Sequence, residues 1–213
     1  MLLIGAVAML SCCKANGQES NEANVAEAKG DLPRSDLYQC EGCEGALEAD
    51  GASLTGSTQM ALPEEPGEKM TLDGTVFATD GKTPAVGVII YAYQTNAEGF
   101  YANGSPQTDA SRQHGRIRGW IKTGADGRYQ FRTIKPAPYP NDTIPAHIHF
   151  TILENGKRPY WIDDIVFQGE VGVTDAYRRA MTNKGGNGIV AARKLADGSW
   201  QVTRDITLER HPD

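Results

Sequence analysis

The sequence predicts an all-β fold, an antiparallel β-sandwich with one short helix and a long irregular N-terminal segment. From Thr71 onward the chain consists of short runs rich in apolar and β-branched residues. Asp-Gly and Asn-Gly pairs separate many of these runs and supply the positive φ that tight hairpin turns require. The 24 Gly and 11 Pro among 213 residues also favour turns over long helices.

The body of the chain is predicted to contain strands joined by hairpin turns, with one helix near the end. The predicted strands span 74–79, 86–95, 116–123, 128–133, 146–153, 159–167, 188–194 and 199–208. The predicted turns are Asp80-Gly81, Asp126-Gly127, Asn155-Gly156 and Asp197-Gly198. Residues 174–183 predict a short helix, with Asp175 near its start and Gly185-Gly186 after its end.

The first residues predict a targeting segment over 1–12. Residues 1–10 form an apolar run that is shorter than the ~20 residues a membrane span requires. Ser11 and Cys12 follow, and this pattern resembles the lipobox of bacterial lipoproteins. In that interpretation the chain is exported to the cell envelope, and its one membrane contact is a lipid anchor on Cys12. A plain secretory signal and a misassigned start are the alternatives.

Residues 13–70 are predicted to form a flexible tether that precedes a domain over 71–213. They are rich in Glu, Gly, Ala, Asn and Ser and show little apolar periodicity. The tether contains a CxxC motif, Cys40 and Cys43, which is typical of a redox site, half a metal site or a local disulfide. No second CxxC and no βαβ pattern accompanies it, so the sequence favours a Cys40–Cys43 disulfide in an oxidising compartment.

The charge of the chain argues against a nucleic-acid partner. The sequence has 21 Lys and Arg against 27 Asp and Glu, a formal net charge of −6 at pH 7. Binding to phosphates requires a basic surface that displaces counterions, and no long basic run is present. We therefore expect no nucleic-acid partner.

Two of the four histidines form a His-x-His pair in a predicted strand. Side chains of a strand alternate between its faces, so His147 and His149 share one face and Ile148 lies on the other. Two imidazoles presented together are half of a metal site. The apolar flanks predict burial, and buried imidazoles need a metal or hydrogen-bond partners. A hydrogen-bonded core pair is the alternative.

Tyrosine is the remaining candidate donor for such a site. No cysteine lies in residues 71–213, and no carboxylate has a convincing spacing from the pair. Tyr101 follows Glu98-Gly99-Phe100, and Tyr139 lies between two prolines. A phenol has a pKa near 10, so a phenolate ligand at neutral pH implies a strong Lewis acid, of which Fe(III) is the usual one.

Four segments in this order resemble the intradiol ring-cleavage dioxygenases, the family of the protocatechuate and catechol dioxygenases. The segments are residues 93–101, 124–136, 138–140 and 147–150. The resemblance implies an enzyme that uses O2 to open a small aromatic diol between its two hydroxylated carbons, giving a muconate-type diacid. It also implies homo-oligomers.

The same resemblance implies a non-haem Fe(III) centre and assigns its residues. The metal ligands, which are also the catalytic residues, would be Tyr101, Tyr139, His147 and His149. Tyr101 matches the tyrosine that leaves the iron and takes a substrate proton. The other three would stay bound.

The sequence departs from the family pattern at two positions. Ile144 stands where the family has an arginine that stabilises negative charge on the substrate, and Asp164 aligns with a family glutamine. An apolar side chain cannot offer hydrogen bonds to an oxyanion, so either another residue replaces the arginine or turnover is slow. The candidates are Arg116, Arg118 and Arg132.

Two other functions remain open on the sequence. A non-catalytic cell-surface β-sandwich could bind a ligand and keep a vestigial metal site, or the site could hold zinc and perform hydrolysis.

His114 and His211 lie in polar contexts and are expected to be exposed. Trp120, Trp161 and Trp200 are expected in the core or along a substrate cleft.

Overall fold

The computed structural model describes residues 33–40, 42–49, 53–104 and 108–212. The chain divides into a unit over residues 1–32, which lies outside the described residues, and a second unit over residues 33–213. The predicted targeting segment with Cys12 falls in the first of these. Within the described residues, no helix has the length and apolar character needed to cross a membrane.

Strands dominate the described residues, and the helices are short. The strands are β1 Ser57–Gln59, β2 Lys69–Phe77, β3 Ile89–Gln94, β4 Arg118–Lys122, β5 Arg128–Ile134, β6 His147–Leu153, β7 Tyr160–Phe167, β8 Ile189–Val190, β9 Ala192–Lys194, β10 Trp200–Thr203 and β11 Ile206–Thr207. The helices are a 3-10 helix over Cys43–Glu48, α1 over Asp109–His114 and α2 over Asp175–Ala180.

The strands form two sheets that pack as a sandwich, which confirms the predicted all-β class. One sheet has the order β1-β5-β2-β10-β9, with β11 also paired to β2, and the other has the order β4-β3-β6-β7-β8. Tyr129 and Phe131 from the first sheet meet Phe150 from the second, with ring centroids 6.0 and 5.7 Å apart. The apolar core therefore lies between the sheets.

Two of the four predicted hairpin turns join paired strands, and a third, Asp80-Gly81, closes a single antiparallel bridge between Phe77 and Pro84. The turns at Asn155-Gly156 and Asp197-Gly198 join antiparallel neighbours, β6 with β7 and β9 with β10. The turns at Asp80-Gly81 and Asp126-Gly127 instead carry the chain from one sheet to the other, because β2 and β5 pair together and β3 pairs with β4. A turn dipeptide shows that the chain reverses, but not which sheet receives the next strand.

The sandwich also contains parallel pairs, so the expectation of a purely antiparallel arrangement was too simple. β1 pairs in parallel with β5, β2 with β10 and β11, and β7 with β8. Because parallel partner strands are distant in sequence, no turn motif predicts their pairing.

The predicted helix is confirmed as α2. Thr174 caps it, because its hydroxyl oxygen accepts a hydrogen bond from the Tyr177 backbone N–H at 3.2 Å. The 3-10 helix and α1 span only six residues each. Helices this short show no clear apolar period, so the sequence pattern does not reveal them.

The described part of the predicted tether packs against the sandwich. We call residues 33–40 and 42–49 the N-terminal strap. Leu37 and Ala46 of the strap are fully buried. The Trp120 indole N–H donates to the Gly45 carbonyl at 2.9 Å, and β1 pairs with β5. The described unit therefore begins before Thr71, where the sequence placed its boundary, and residues 13–32, 41 and 50–52 of the tether lie outside the described residues.

Strand β6 separates the core from the candidate site. Ile148, Phe150 and Ile152 point into the core and are at most 1% exposed. The alternating positions, including His147 and His149, face the other side of the sheet, as the period of two predicts.

Candidate metal centre

Four donor atoms from two phenols and two imidazoles form a closed ring at the start of β6. Tyr101 Oη lies 2.6 Å from Tyr139 Oη and 2.8 Å from His149 Nε2. His147 Nε2 lies 3.1 Å from Tyr139 Oη and 3.1 Å from His149 Nε2. The structure thus brings together all four residues that the sequence singled out. Their role as metal ligands stays a prediction.

Backbone and carboxylate partners orient both imidazoles toward this ring. His147 Nδ1 lies 2.8 Å from the Pro145 carbonyl oxygen, and His149 Nδ1 lies 2.9 Å from Asp164 Oδ1. Each Nδ1–H can donate to its oxygen, which leaves the Nε2 lone pair free to bind a cation. Both rings are therefore held in the tautomer that a metal site needs.

Two loops carry the tyrosines, and hydrogen bonds hold the loops together. Tyr101 follows β3, and Tyr139 lies between β5 and β6. The Asn96 side-chain oxygen accepts from the Phe100 backbone N–H at 2.9 Å, and the Thr95 hydroxyl donates to the Ala137 carbonyl at 2.7 Å. Gly99 has φ +84°, and a Cβ there would lie 2.1 Å from the Pro138 carbonyl oxygen. The glycine therefore allows the close approach of the two loops.

Sequence reasoning missed the role of Asp164 at the site. The register between β6 and β7 shifts between Ile148 and Phe150, so that both Asp163 and Asp164 lie opposite His149. A bulge of this kind re-aims a side chain, and here Asp164 reaches His149. His147, His149 and Asp164 have ligand atoms within 4.8 Å of one another. Asp164 contacts Nδ1 of His149 rather than Nε2, so its contact is that of a hydrogen-bond partner.

Burial shifts the pKa of three of the four donors, Tyr101, Tyr139 and His147. It raises the pKa of the Tyr101 phenol, which the hydrogen bond to Tyr139 raises further, and it also raises the pKa of Tyr139. It lowers the pKa of His147, which the nearby His149 lowers further. The imidazole of His147 is therefore neutral at pH 7, while the phenols lose their protons only next to a strong cation.

The donor set fits a metal ion. A ring of four atoms with sides of 2.6–3.1 Å has its centre about 2 Å from each atom, the usual length of a bond from a metal to nitrogen or oxygen. Two imidazoles and two phenols without a thiolate suit a hard or borderline cation of strong Lewis acidity.

A cavity of about 510 Å³ opens onto the ring of donors. Tyr101, Tyr139 and His149 form its floor, while Tyr93 and Trp161 are among its walls. Tyr93 stacks on His149 with ring centroids 4.4 Å apart. The cavity is large enough for a single substituted aromatic ring, and aromatic side chains are part of its lining.

None of the arginines that the sequence offered as replacements lies at the cavity. Arg116 pairs with Glu65 at 2.7 Å, and Arg118 pairs with Glu48 at 3.0 Å. Arg132 is exposed on β5 in the other sheet. Ile144, in the family's arginine position, is 46% exposed. The expectation that one of the three arginines serves the site was therefore wrong.

The expectation for His114 was also wrong. It is 3% exposed, stacks on Tyr93 with centroids 3.9 Å apart and lies 2.8 Å from the Tyr91 hydroxyl through Nδ1. Burial lowers its pKa. His211 is largely buried as well, between Tyr38 and Glu154. Polar neighbours in the sequence concealed both positions, because the covering strap is distant along the chain.

Comparison with known proteins gives relatives for most of the chain. A family model described as "Dioxygenase" matches residues 46–209. The chain is 31% identical over 133 residues to catechol 1,2-dioxygenase 1 of Acinetobacter lwoffii, covering 54% of this chain and 42% of that protein. It is 34% identical over 174 residues to the hydroxyquinol 1,2-dioxygenase of Rhizobium sp. (strain MTP-10005), covering 68% of this chain and 56% of that protein. The chain spans about half the length of these curated relatives.

Solved structures share the fold. Catechol 1,2-dioxygenase from Pseudomonas arvilla C-1 superposes with a TM-score of 0.55 at 27% identity, covering 73% of this chain and 56% of that chain. The dioxygenase domain of a carbohydrate-binding fusion from Streptomyces sp. SirexAA-E gives a TM-score of 0.55 at 24% identity, covering 73% of this chain and 88% of that chain. The second likeness concerns the fold alone.

Proposed function

Because the chain belongs to the intradiol ring-cleavage dioxygenase family, we propose that it inserts both atoms of O2 into a catechol-type diol. The cofactor in this proposal is a non-haem Fe(III) held by Tyr101, Tyr139, His147 and His149. The observation that carries the proposal is the closed ring of two phenol and two imidazole donors at the floor of an aromatic cavity.

When bound, the ferric ion would supply Lewis acidity, which favours binding of the diol as its anion and makes the aromatic ring of the diol reactive toward O2. The protein residues then have separable tasks. Tyr139, His147 and His149 hold the centre. The carbonyl of Pro145 and the carboxylate of Asp164 fix the two imidazoles.

Tyr101 is the group that accepts a substrate proton in this proposal. Its hydroxyl lies on the cavity floor, between Tyr139 and His149. Burial raises the pKa of this phenol, so its anion is a stronger base than an exposed phenolate. A diol hydroxyl that reaches the floor can therefore transfer its proton to Tyr101 Oη.

The walls orient the substrate ring and exclude water from it. Tyr93 and Trp161 place aromatic side chains in the wall, against which a six-membered ring can pack. The overall reaction converts one diol and one O2 into one diacid, so both oxygen atoms end in the product and no external reductant is needed.

Oxygen uptake and muconate absorbance test the proposal directly. The iron-loaded protein would be mixed with catechol, protocatechuate and hydroxyquinol. We expect turnover of at least one diol and a reddish protein, since phenolate-to-Fe(III) charge transfer absorbs visible light. His147→Ala should abolish iron binding, whereas Tyr101→Phe should keep iron and lose turnover.

Two results would contradict the proposal. A colourless protein that takes up no iron and consumes no O2 would support the binding-module alternative. Zinc in the purified protein, with hydrolytic activity, would support the other alternative.

We also propose that the enzyme acts outside the cytoplasm, anchored through Cys12, and that it assembles as a homo-oligomer. The Cys40–Cys43 disulfide supports export, because such bonds persist in oxidising compartments. Cell fractionation tests the location, and sedimentation tests the assembly.

A further inference from the structure

We propose that the site selects catechols whose ring substituents carry no negative charge, and that the N-terminal strap and α1 build the wall that makes this selection. The inference rests on the proposed function, and it narrows the substrate class to uncharged catechols.

The strap adds a wall to the cavity from outside the matched family domain. The family match begins at residue 46, yet Gln39 and Gly42 line the cavity. The Trp161 indole N–H donates to the Gln39 carbonyl at 2.8 Å. The strap therefore meets a cavity residue directly.

Contacts on both sides hold the strap in place. Cys40 and Cys43 form a disulfide that closes a short loop around Gly42. Gly42 has φ +81°, and a Cβ there would lie 2.8 Å from His114 Nε2, so the loop seats tightly on the end of α1. On the other side, the Tyr38 hydroxyl lies 2.6 Å from His211 Nδ1. The wall is thus a fixed surface.

No lysine or arginine lines the cavity among the described residues. The polar groups that the strap and α1 contribute are the amides of Gln39 and Gln113 and the imidazole of His114, whose pKa is lowered by burial. Residues 41, 105–107, 110 and 111, next to these segments in sequence, contain no lysine or arginine either. The carboxylate of Asp164 is also part of the lining.

Three cations close to the strap, α1 and Trp161 have acidic partners. Arg112 on α1 pairs with Asp109 at 2.6 Å, and Arg118 pairs with Glu48 at 3.0 Å. Lys184 lies 3.8 Å from the centre of the Trp161 ring, is fully buried and pairs with Asp36 at 3.5 Å.

A carboxylate on the substrate ring would therefore lose water without gaining a counter-charge, and it would approach Asp164. Partial burial of an unpaired charge is strongly unfavourable, and like charges repel. An uncharged polar substituent can instead accept hydrogen bonds from the two amides. The chemistry of the wall favours the uncharged ring.

Protocatechuate and its methyl ester test the selection, because they differ in charge at the same ring position. With the iron-loaded full chain at pH 7, we expect kcat/KM for the ester to exceed that for the acid by about tenfold or more. Equal or better turnover of the acid would overturn the inference and leave the proposed function standing. Failure to cleave either compound or catechol would refute the proposed function instead.

Binding to the metal-free protein tests the inference without turnover. Methyl 4-hydroxybenzoate should quench the tryptophan fluorescence at a concentration about tenfold lower than 4-hydroxybenzoate does. Equal affinities for the two compounds would overturn the selection.

A positive charge introduced at Gln113 tests whether this wall sets the selection. Its side chain is exposed, so replacement should leave folding intact. Gln113→Arg should raise the acid-to-ester ratio of kcat/KM by about tenfold, and Gln113→Met, of similar size and without charge, should not. An unchanged ratio in a folded Gln113→Arg protein would show that this wall does not set the selection.

Discussion

At the scale of single residues, the contact between His149 and Asp164 matters most for the proposed centre. A carboxylate that accepts from Nδ1 fixes the orientation of the imidazole and makes Nε2 a stronger ligand. Burial acts to raise the pKa of Asp164, but the hydrogen bond from His149 and the nearby nitrogen-bearing side chains outweigh it, so that the pKa is lowered. Asp164 is therefore an anion at neutral pH and can act in this way.

Asp164→Asn should weaken iron binding about 10- to 100-fold, because an amide is a poorer acceptor than a carboxylate. The measurement is an iron titration followed by the visible charge-transfer band. Asp126→Asn removes the same charge from an exposed turn between β4 and β5 and should leave the affinity unchanged. Equal affinity in Asp164→Asn and the unaltered protein would refute the positioning role.

At the scale of elements, the alternation of strand β6 was readable from the sequence. Two histidines two residues apart share a face of any strand, and the apolar residues between and after them predict which face is the core. The bulge in β7 was not readable, because it depends on how two strands pair over a register shift. The sequence therefore revealed both imidazoles, but not the residue that orients one of them.

The sequence likewise predicted one feature of the N-terminal strap and not another. The CxxC spacing favoured a local disulfide, and the structure contains the Cys40–Cys43 bond. Composition alone predicted a loose segment around it. The strap packs against the sandwich because Leu37 and Ala46 are buried there. A few apolar residues without periodicity do not predict such contacts.

Replacement of both cysteines by serine, Cys40→Ser with Cys43→Ser, should lower the free energy of unfolding by about 2 kcal/mol, the value expected for a short closed loop. Urea denaturation of the metal-free protein measures this change. A phosphine reductant should shift the midpoint of the unaltered protein to that of the double variant and leave the variant unaffected. Identical midpoints before and after reduction would show that the bond does not stabilise the strap.

At the scale of the whole molecule, the sandwich holds loops from distant parts of the chain in one place. The core joins the two sheets through Tyr129, Phe131 and Phe150. The loops with Tyr101 and Tyr139 extend from β3 and β5, one strand from each sheet. The ring of donors therefore depends on the packing of the sheets against each other.

Phe131→Ala should lower the free energy of unfolding by about 3–5 kcal/mol, because it leaves a cavity in a fully buried position between the sheets. Chemical denaturation measures the loss. Val171→Ala is the matched control, since Val171 is 94% exposed and its truncation should change the free energy of unfolding by less than about 0.5 kcal/mol. A loss below 1 kcal/mol for Phe131→Ala would contradict the assigned core.

The sequence by itself determined the all-β class, helix α2, the shared face of His147 and His149, and, through resemblance, the two tyrosines. These features depend on residue spacing, local turn chemistry and short motifs. Only the tertiary structure decided which sheet receives each strand, that Asp164 reaches His149, that His114 is buried, and that the strap walls the cavity. Each of these depends on contacts between segments far apart in the chain, and such contacts leave no periodic pattern in either segment.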